Sequence, residues 1–261
     1  MLLGVNIDHI AVLREARKIN DPNPIDALGI CKLSGADQIT IHLREDRRHI
    51  NDTDAKNIIQ LSPLPVNLEC SINDDIIDIV CQLKPTRATL VPENREEVTT
   101  EGGLDLKNNF DKIKKVVQKL HDHEIEVSLF IDPYKEAIGL SKELEVEWIE
   151  LHTGSYANIY AMLNLNLNNS AHSIKELELS KAELKELLKI SLNNIKTSSK
   201  EAKKLGLKVA AGHGLNYQNV KPIASIKAIS ELNIGQSIIA RSVFTGLKEA
   251  IIRMKTLIEE K

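Results

Sequence analysis

The chain has 261 residues, with 34 Lys and Arg against 37 Asp and Glu and a formal net charge of −3, a balance that leaves no basic footprint for nucleic acid. No run of about 18 apolar residues suggests a membrane span, and the length fits one α/β barrel or two ordinary domains with a large core. Cys31, Cys70 and Cys81 form no CxxC pair and are odd in number, which argues against a disulfide framework and for a reducing cytoplasm. The expected partner is a small molecule.

Apolar, β-rich runs lie near residues 2–7, 38–43, 65–70, 87–91, 125–131, 147–151, 207–211 and 229–233. Most are separated by segments of helical period, so they read as eight strands in βα alternation. Eight such units predict an α/β fold of the (β/α)8 TIM-barrel type, one domain over residues 1–261 with active-site loops at the strand C-termini. An open doubly wound sheet is the alternative, but it would bind ligand at a single switch point. Here polar residues end many strands. The first strand begins at once, with no basic and then apolar leader before it, and finishes on Asn6 and Asp8.

The second strand, Thr40-Ile41-His42-Leu43-Arg44, alternates faces, so His42 and Arg44 point the same way and Ile41 and Leu43 the other. The run HLREDRRHI at 42–50 then carries Arg44, Arg47, Arg48 and His49 before Asp52, which is placed to cap the next helix. Arginine forks suit phosphate or carboxylate. Arg47 and Arg48 read as solvated partners of Glu45 and Asp46, whereas His42 and Arg44 share the inward face and read as functional. Asn67 and Glu69 end the third strand. A carboxylate there is partly desolvated, which raises its pKa toward an acid–base range, and a buried ion pair with an arginine of a neighbouring strand is the competing reading.

After the fourth strand, residues 92–106 form a long polar connection with two threonines and the Gly102-Gly103 pair, a lid or a merely mobile surface loop. Ser128 ends the fifth strand; Glu150 and His152 end the sixth, where a lone inward His such as His152 is more often a hydrogen-bonded core residue than a catalyst. Residues 155–204 exceed what one helix needs. The stretch NLNLNNS at 164–170 breaks them, which predicts an additional helix or helical pair packed outside the barrel, at a subunit contact, with its Leu and Ile positions marking core packing rather than a cofactor site. AAGHG at 210–214 ends strand seven, with His213 among small residues that let a ligand approach. After strand eight a helix is expected to begin near Gln236-Ser237, placing Gly235 where amides and a helix N-terminus hold phosphate.

No lysine ends a strand, which sets aside a Schiff-base aldolase. His9, His42, His152, His213 and Asp8 are possible metal ligands, but no HExxH spacing supports a metal centre. A phosphate-handling isomerase and a non-catalytic sugar-phosphate sensor are both open readings of such a barrel, because fold alone does not decide function.

The segments NIDHIAVLREAR, ITIHLREDRRHI, NLE, VPENREEVTTEGGLD, SLFID, IELHTG, AGHGLNYQNV and LNIGQSIIARSV together resemble the pyridoxine 5′-phosphate synthase family through nearly the whole chain. The resemblance implies a vitamin B6 biosynthetic enzyme that condenses 3-amino-2-oxopropyl phosphate with 1-deoxy-D-xylulose 5-phosphate, releasing phosphate and water. It also implies no metal or organic cofactor and an octamer of barrels. Carried over residue by residue, it casts His42 and Glu69 as proton acceptors, His213 as proton donor and Glu150 as stabiliser of charged intermediates. Asn6, Arg17, Gly214, Gly235 and Gln236 would hold the amino ketone phosphate, and Asp8, His9, Arg44, His49 and Thr99 the deoxyxylulose phosphate. Two departures stand out: the family usually has His at position 236, and the segment after strand six is longer than expected.

Overall fold

The computed structural model describes residues 1–93 and 102–260. Eight parallel strands close into a barrel in sequence order: β1 (Leu2–Asn6), β2 (Gln38–His42), β3 (Val66–Cys70), β4 (Arg87–Leu90), β5 (Glu126–Ile131), β6 (Trp148–His152), β7 (Lys208–Gly212) and β8 (Glu231–Ile234). The helices are α1 (Asp8–Glu15), α2 (Asp26–Leu33), α3 (Asp52–Leu61), α4 (Asp74–Leu83), α5 (Phe110–His121), α6 (Lys135–Glu143), α7 (Gly154–Asn164), α8 (Lys181–Lys204), α9 (Val220–Ala224), α10 (Gln236–Thr245) and α11 (Leu247–Glu259). The TIM-barrel expectation holds, and the open-sheet alternative does not.

Alternation along each strand does the sorting. Leu3, Val5, Ile39, Ile41, Leu68 and Leu129 are fully buried in the main core, the layer between strands and helices, while their neighbours point into the barrel. Barrel interiors are usually filled by branched apolar side chains; this one is polar. Near the N-terminal ends of the strands, Arg87 donates to Glu231 at 2.5 Å and to Gln38 at 2.6 Å, and its guanidinium stacks 4.2 Å from the centre of the Trp148 ring. Higher up, Gln38 and Thr40 both donate to Asn233 Oδ1, at 3.4 and 3.2 Å, and Asn233 donates onward to Glu150 at 2.7 Å. Buried polar groups persist only when they are paired in this way.

Helix starts follow local chemistry. The cap of α3 is Asn51, not Asp52: Asn51 is extended and accepts from the Asp54 amide, and Asp54 closes a capping box by accepting from the Asn51 amide, whereas Asp52 already lies within the helix. Between β6 and β7 the structure holds α7, two short 3-10 turns and then α8, which opens on a second capping box between Ser180 and Glu183. Ile159, Met162 and Leu184 form a small core of their own there, so the long segment is a helical pair with private packing against the barrel wall.

Candidate active site

The strand C-termini surround a cleft of about 420 Å³. It is built from four groups of side chains.

The first joins β1 to β2. The Asp8 carboxylate accepts from the Asn6 amide at 2.8 Å and from the His42 backbone N–H at 2.9 Å, while Asn6 Oδ1 accepts from the Asp8 N–H. Asn6 ends its strand and Asp8 opens α1, so the chain turns from strand to helix across this pair. Gly235 packs against it, since a Cβ there would lie 2.8 Å from the Asn6 Cβ. The glycine is needed for Asn6 as well as for any ligand.

The second group holds His42 and Glu69, the two residues expected from the sequence to accept protons. His42 and Glu69 are directly paired in the β2–β3 register, and both line the cleft. His42 Nε2 lies 3.2 Å from Glu93 Oε1, and Glu93 Oε2 accepts from the Glu45 N–H at 2.9 Å. Burial alone would raise the Glu93 carboxyl, but these bonds outweigh it and hold the group below the usual carboxylate range. Sequence reasoning missed Glu93, which sits three residues past its strand.

The third group is Glu150, buried, with Asn233 as its donor. Burial pushes its carboxyl up to about 7, with the Glu231 charge adding to the rise and the Asn233 hydrogen bond and Arg87 opposing it. Gly212 on the adjacent strand leaves the room, since a Cβ there would sit 2.1 Å from Glu150 Oε1. Asn233 was also missed, although its alternation with Glu231 in Glu-Leu-Asn-Ile carries the period-2 signal.

The fourth group is a wall of rings: Phe130, His152 and His213. His152 and His213 meet edge-on with centroids 5.1 Å apart, and Phe130 lies 5.0 Å from His152. His152 Nδ1 is 3.0 Å from Asp132 Oδ1. His152 therefore lines the cleft rather than being a core residue only.

Two parts of the cleft suit anions, one beyond β8 and one beyond β2, the two neighbours of β1. At one, α10 begins at Gln236 with Gly235 as its cap, and Gly214 (φ +78°) adds a backbone turn that favours glycine. A helix N-terminus with exposed amides attracts negative charge. At the other, Arg44 and His49 are buried and line the cleft. The Ile50 N–H donates to His49 Nδ1 at 2.8 Å, which leaves the ring proton on Nε2. Arg14, unremarked in the sequence, carries this loop: it donates to the His49 carbonyl at 2.9 Å and to both oxygens of Asp54 at 2.8 Å. Arg48 pairs with Asp46 as expected, whereas Arg47 pairs with Asp52.

Of the fourteen residues that the resemblance assigned to the site, the structure brings twelve to this cleft. Arg17 is exposed just beyond α1 and does not line it. Thr99 lies outside the described residues, as does most of the expected lid. Gly103, from that connection, packs tightly on the Ile131-Asp132 backbone. Among the described residues no cluster of three or more His, Cys, Asp or Glu is placed to hold a metal ion.

Residues 3–260 match the model of the pyridoxal phosphate biosynthesis protein PdxJ. The chain belongs to the PdxJ family. It is 79% identical over 259 residues to the pyridoxine 5′-phosphate synthase of Aliarcobacter butzleri, covering 99% of both chains. It is 64% identical to that of Sulfurovum sp. over 99% of this chain and 100% of the relative. Among solved structures it is similar to phosphoribosyl anthranilate isomerase from Thermus thermophilus, with a TM-score of 0.56 at 10% identity over 99% and 98% of the two chains. That likeness concerns the fold alone. As a PdxJ-family enzyme of vitamin B6 biosynthesis, the chain has His42, Glu69, Glu150 and His213 gathered at the barrel mouth.

Proposed function

We propose that this protein is a pyridoxine 5′-phosphate synthase that condenses 3-amino-2-oxopropyl phosphate with 1-deoxy-D-xylulose 5-phosphate. The observation that carries this reading is the convergence of His42, Glu69, Glu150 and His213 in one cleft that also takes in the start of α10 and the buried Arg44 and His49. Asn6, Gly214, Gly235 and Gln236 hold the amino ketone phosphate against the α10 N-terminus. Asp8, His9, Arg44 and His49 hold the deoxyxylulose phosphate. Imine formation, phosphate elimination, hydration and ring closure each move protons. His42 and Glu69 accept them, His213 returns one, and Glu150, half-protonated near neutrality, balances charge on the intermediates.

Incubation with both substrates should yield pyridoxine 5′-phosphate and inorganic phosphate in equal amounts, and either substrate alone should yield neither. Turnover of a single phosphorylated substrate would favour an isomerase instead. With the synthase reading go a cytoplasmic location and an octamer. Val243 and Phe244 at the end of α10, 67% and 88% exposed, offer apolar surface for assembly, and light scattering gives the mass.

A further inference from the structure

Asp132 is a carboxylate that the chemistry above does not use, yet it is built into the site. It follows β5 on the strand face that carries Ser128 and Phe130. Burial would raise it, but the hydrogen bonds from His152 and the Gly103 N–H outweigh burial and keep it ionised. An ionised Asp132 accepts the proton of His152 Nδ1, which fixes one tautomer and one ring orientation. The other nitrogen, Nε2, faces Gly154, where a Cβ would lie only 2.3 Å from it and 3.1 Å from His213 Cδ2.

His213 needs such support. Its backbone has φ +75°, a region that non-glycine residues occupy at a cost and keep when neighbours enforce it. Thr153 helps, its hydroxyl sharing one proton between the His213 carbonyl at 2.6 Å and that of Gly212 at 2.7 Å. The imidazole itself stands edge-on to His152 and 6.3 Å from Phe130. Edge-to-face contact sets direction as well as distance.

We infer that His152 is the positioning residue of His213 and that Asp132 acts through it, so that a carboxylate, two imidazoles and Gly154 form one aligned unit at the barrel mouth. This rests on His213 being the proton donor of the proposed reaction. The unit leaves little slack: the ring nitrogen opposite Asp132 fits against a glycine, and a rotation of His152 would press on the ring of His213.

The test is steady-state kinetics with both substrates on Asp132→Asn, His152→Phe, the double variant and Gly154→Ala, each checked for fold by circular dichroism. Asn keeps an acceptor for the Gly103 amide but loses the charge, and Phe keeps a ring but loses Nδ1. Each single change should lower kcat by about 10- to 100-fold, below the 10²- to 10⁴-fold loss typical of removing a general acid itself, with each KM within about threefold. The double variant should fall no further than His152→Phe alone, because Asp132 acts only through that ring. Gly154→Ala alters no ionisable group and should still lower kcat by displacing both rings. Nitrogen NMR of His152 should show the Nδ1–H tautomer in the native protein and its loss in Asp132→Asn.

Normal kcat in a folded Asp132→Asn or His152→Phe overturns the inference. So do losses that multiply in the double variant. Should Asp132→Asn not fold, His152→Phe and Gly154→Ala decide alone. His213→Asn separates the two levels: full activity there refutes the reading of the donor itself, whereas an inactive His213→Asn beside a normal Asp132→Asn refutes only the alignment.

Discussion

Glu150→Gln should make the protein more stable at alkaline pH while changing the acid side far less. In the folded chain burial holds this carboxyl at about 7, against an ordinary value of 4.5. Below about pH 4.5 the group is protonated in both states and favours neither. As pH rises the unfolded chain releases its proton first, and the folded chain keeps it until about 7, so stability is lost across that window and stays lost above it. A difference of about 2.5 units corresponds to about 3 kcal/mol, of which about 2 develops between pH 5.5 and 8.5. Glutamine keeps a carbonyl for the Asn233 donor and has no proton to release. Its new amide group adds a cost of its own, but one that does not vary with pH. The quantity to measure is therefore the difference in urea unfolding free energy between variant and native protein at each pH, at one protein concentration because assembly shifts the midpoint. That difference should move in favour of the variant by about 2 kcal/mol from pH 5.5 to 8.5. A constant difference would mean that Glu150 does not titrate in this window and that the polar barrel interior does not hold its proton.

Glu69→Gln and His42→Asn should each lower turnover by about two to four orders of magnitude with folding intact; near-normal turnover removes that residue from the mechanism. Gly235→Val should be far worse than Gln236→His, since a side chain at 235 strikes Asn6 whereas the helix amides supply most of the anion binding at 236; harmless Gly235→Val beside inactive Gln236→His would place the phosphate elsewhere. Glu93 is held below its ordinary range by its partners, so it contributes stability above that range that is lost as pH falls through its folded value. Glu93→Gln should flatten the acid side of a stability–pH curve and lower kcat, and an unchanged curve would count against the His42 pairing.

Strand alternation made much of this site legible. His42, Glu69, Glu150 and His152 break apolar runs at strand ends, and a buried polar group at such a place requires a reason. The same alternation reaches Asn233 and Asp132, but a lone Asn or a loop Asp reads as turn chemistry until the partner is seen. Glu93 carried no signal, because loop geometry beyond a strand end has no period. Arg14 and Arg17 are neighbours in sequence, and only three-dimensional packing decided that Arg14 turns inward to the His49 loop while Arg17 faces solvent. The α3 cap misled by one residue because Asn51 and Asp52 are both capping types.

Barrels of this class commonly keep stability at one end and chemistry at the other. Here Arg87, Glu231, Gln38, Asn233 and Glu150 run as linked partners from the closed end to the mouth. Replacing a buried ion pair with well-packed apolar residues often leaves a protein as stable or more so, so Arg87 and Glu231 would look like free targets for thermostabilisation. Both charges act on the Glu150 proton, Glu231 raising its affinity and Arg87 lowering it. A sturdier floor would thus retune the acid at the opening, and selection on heat tolerance and selection on working pH would fall on the same side chains.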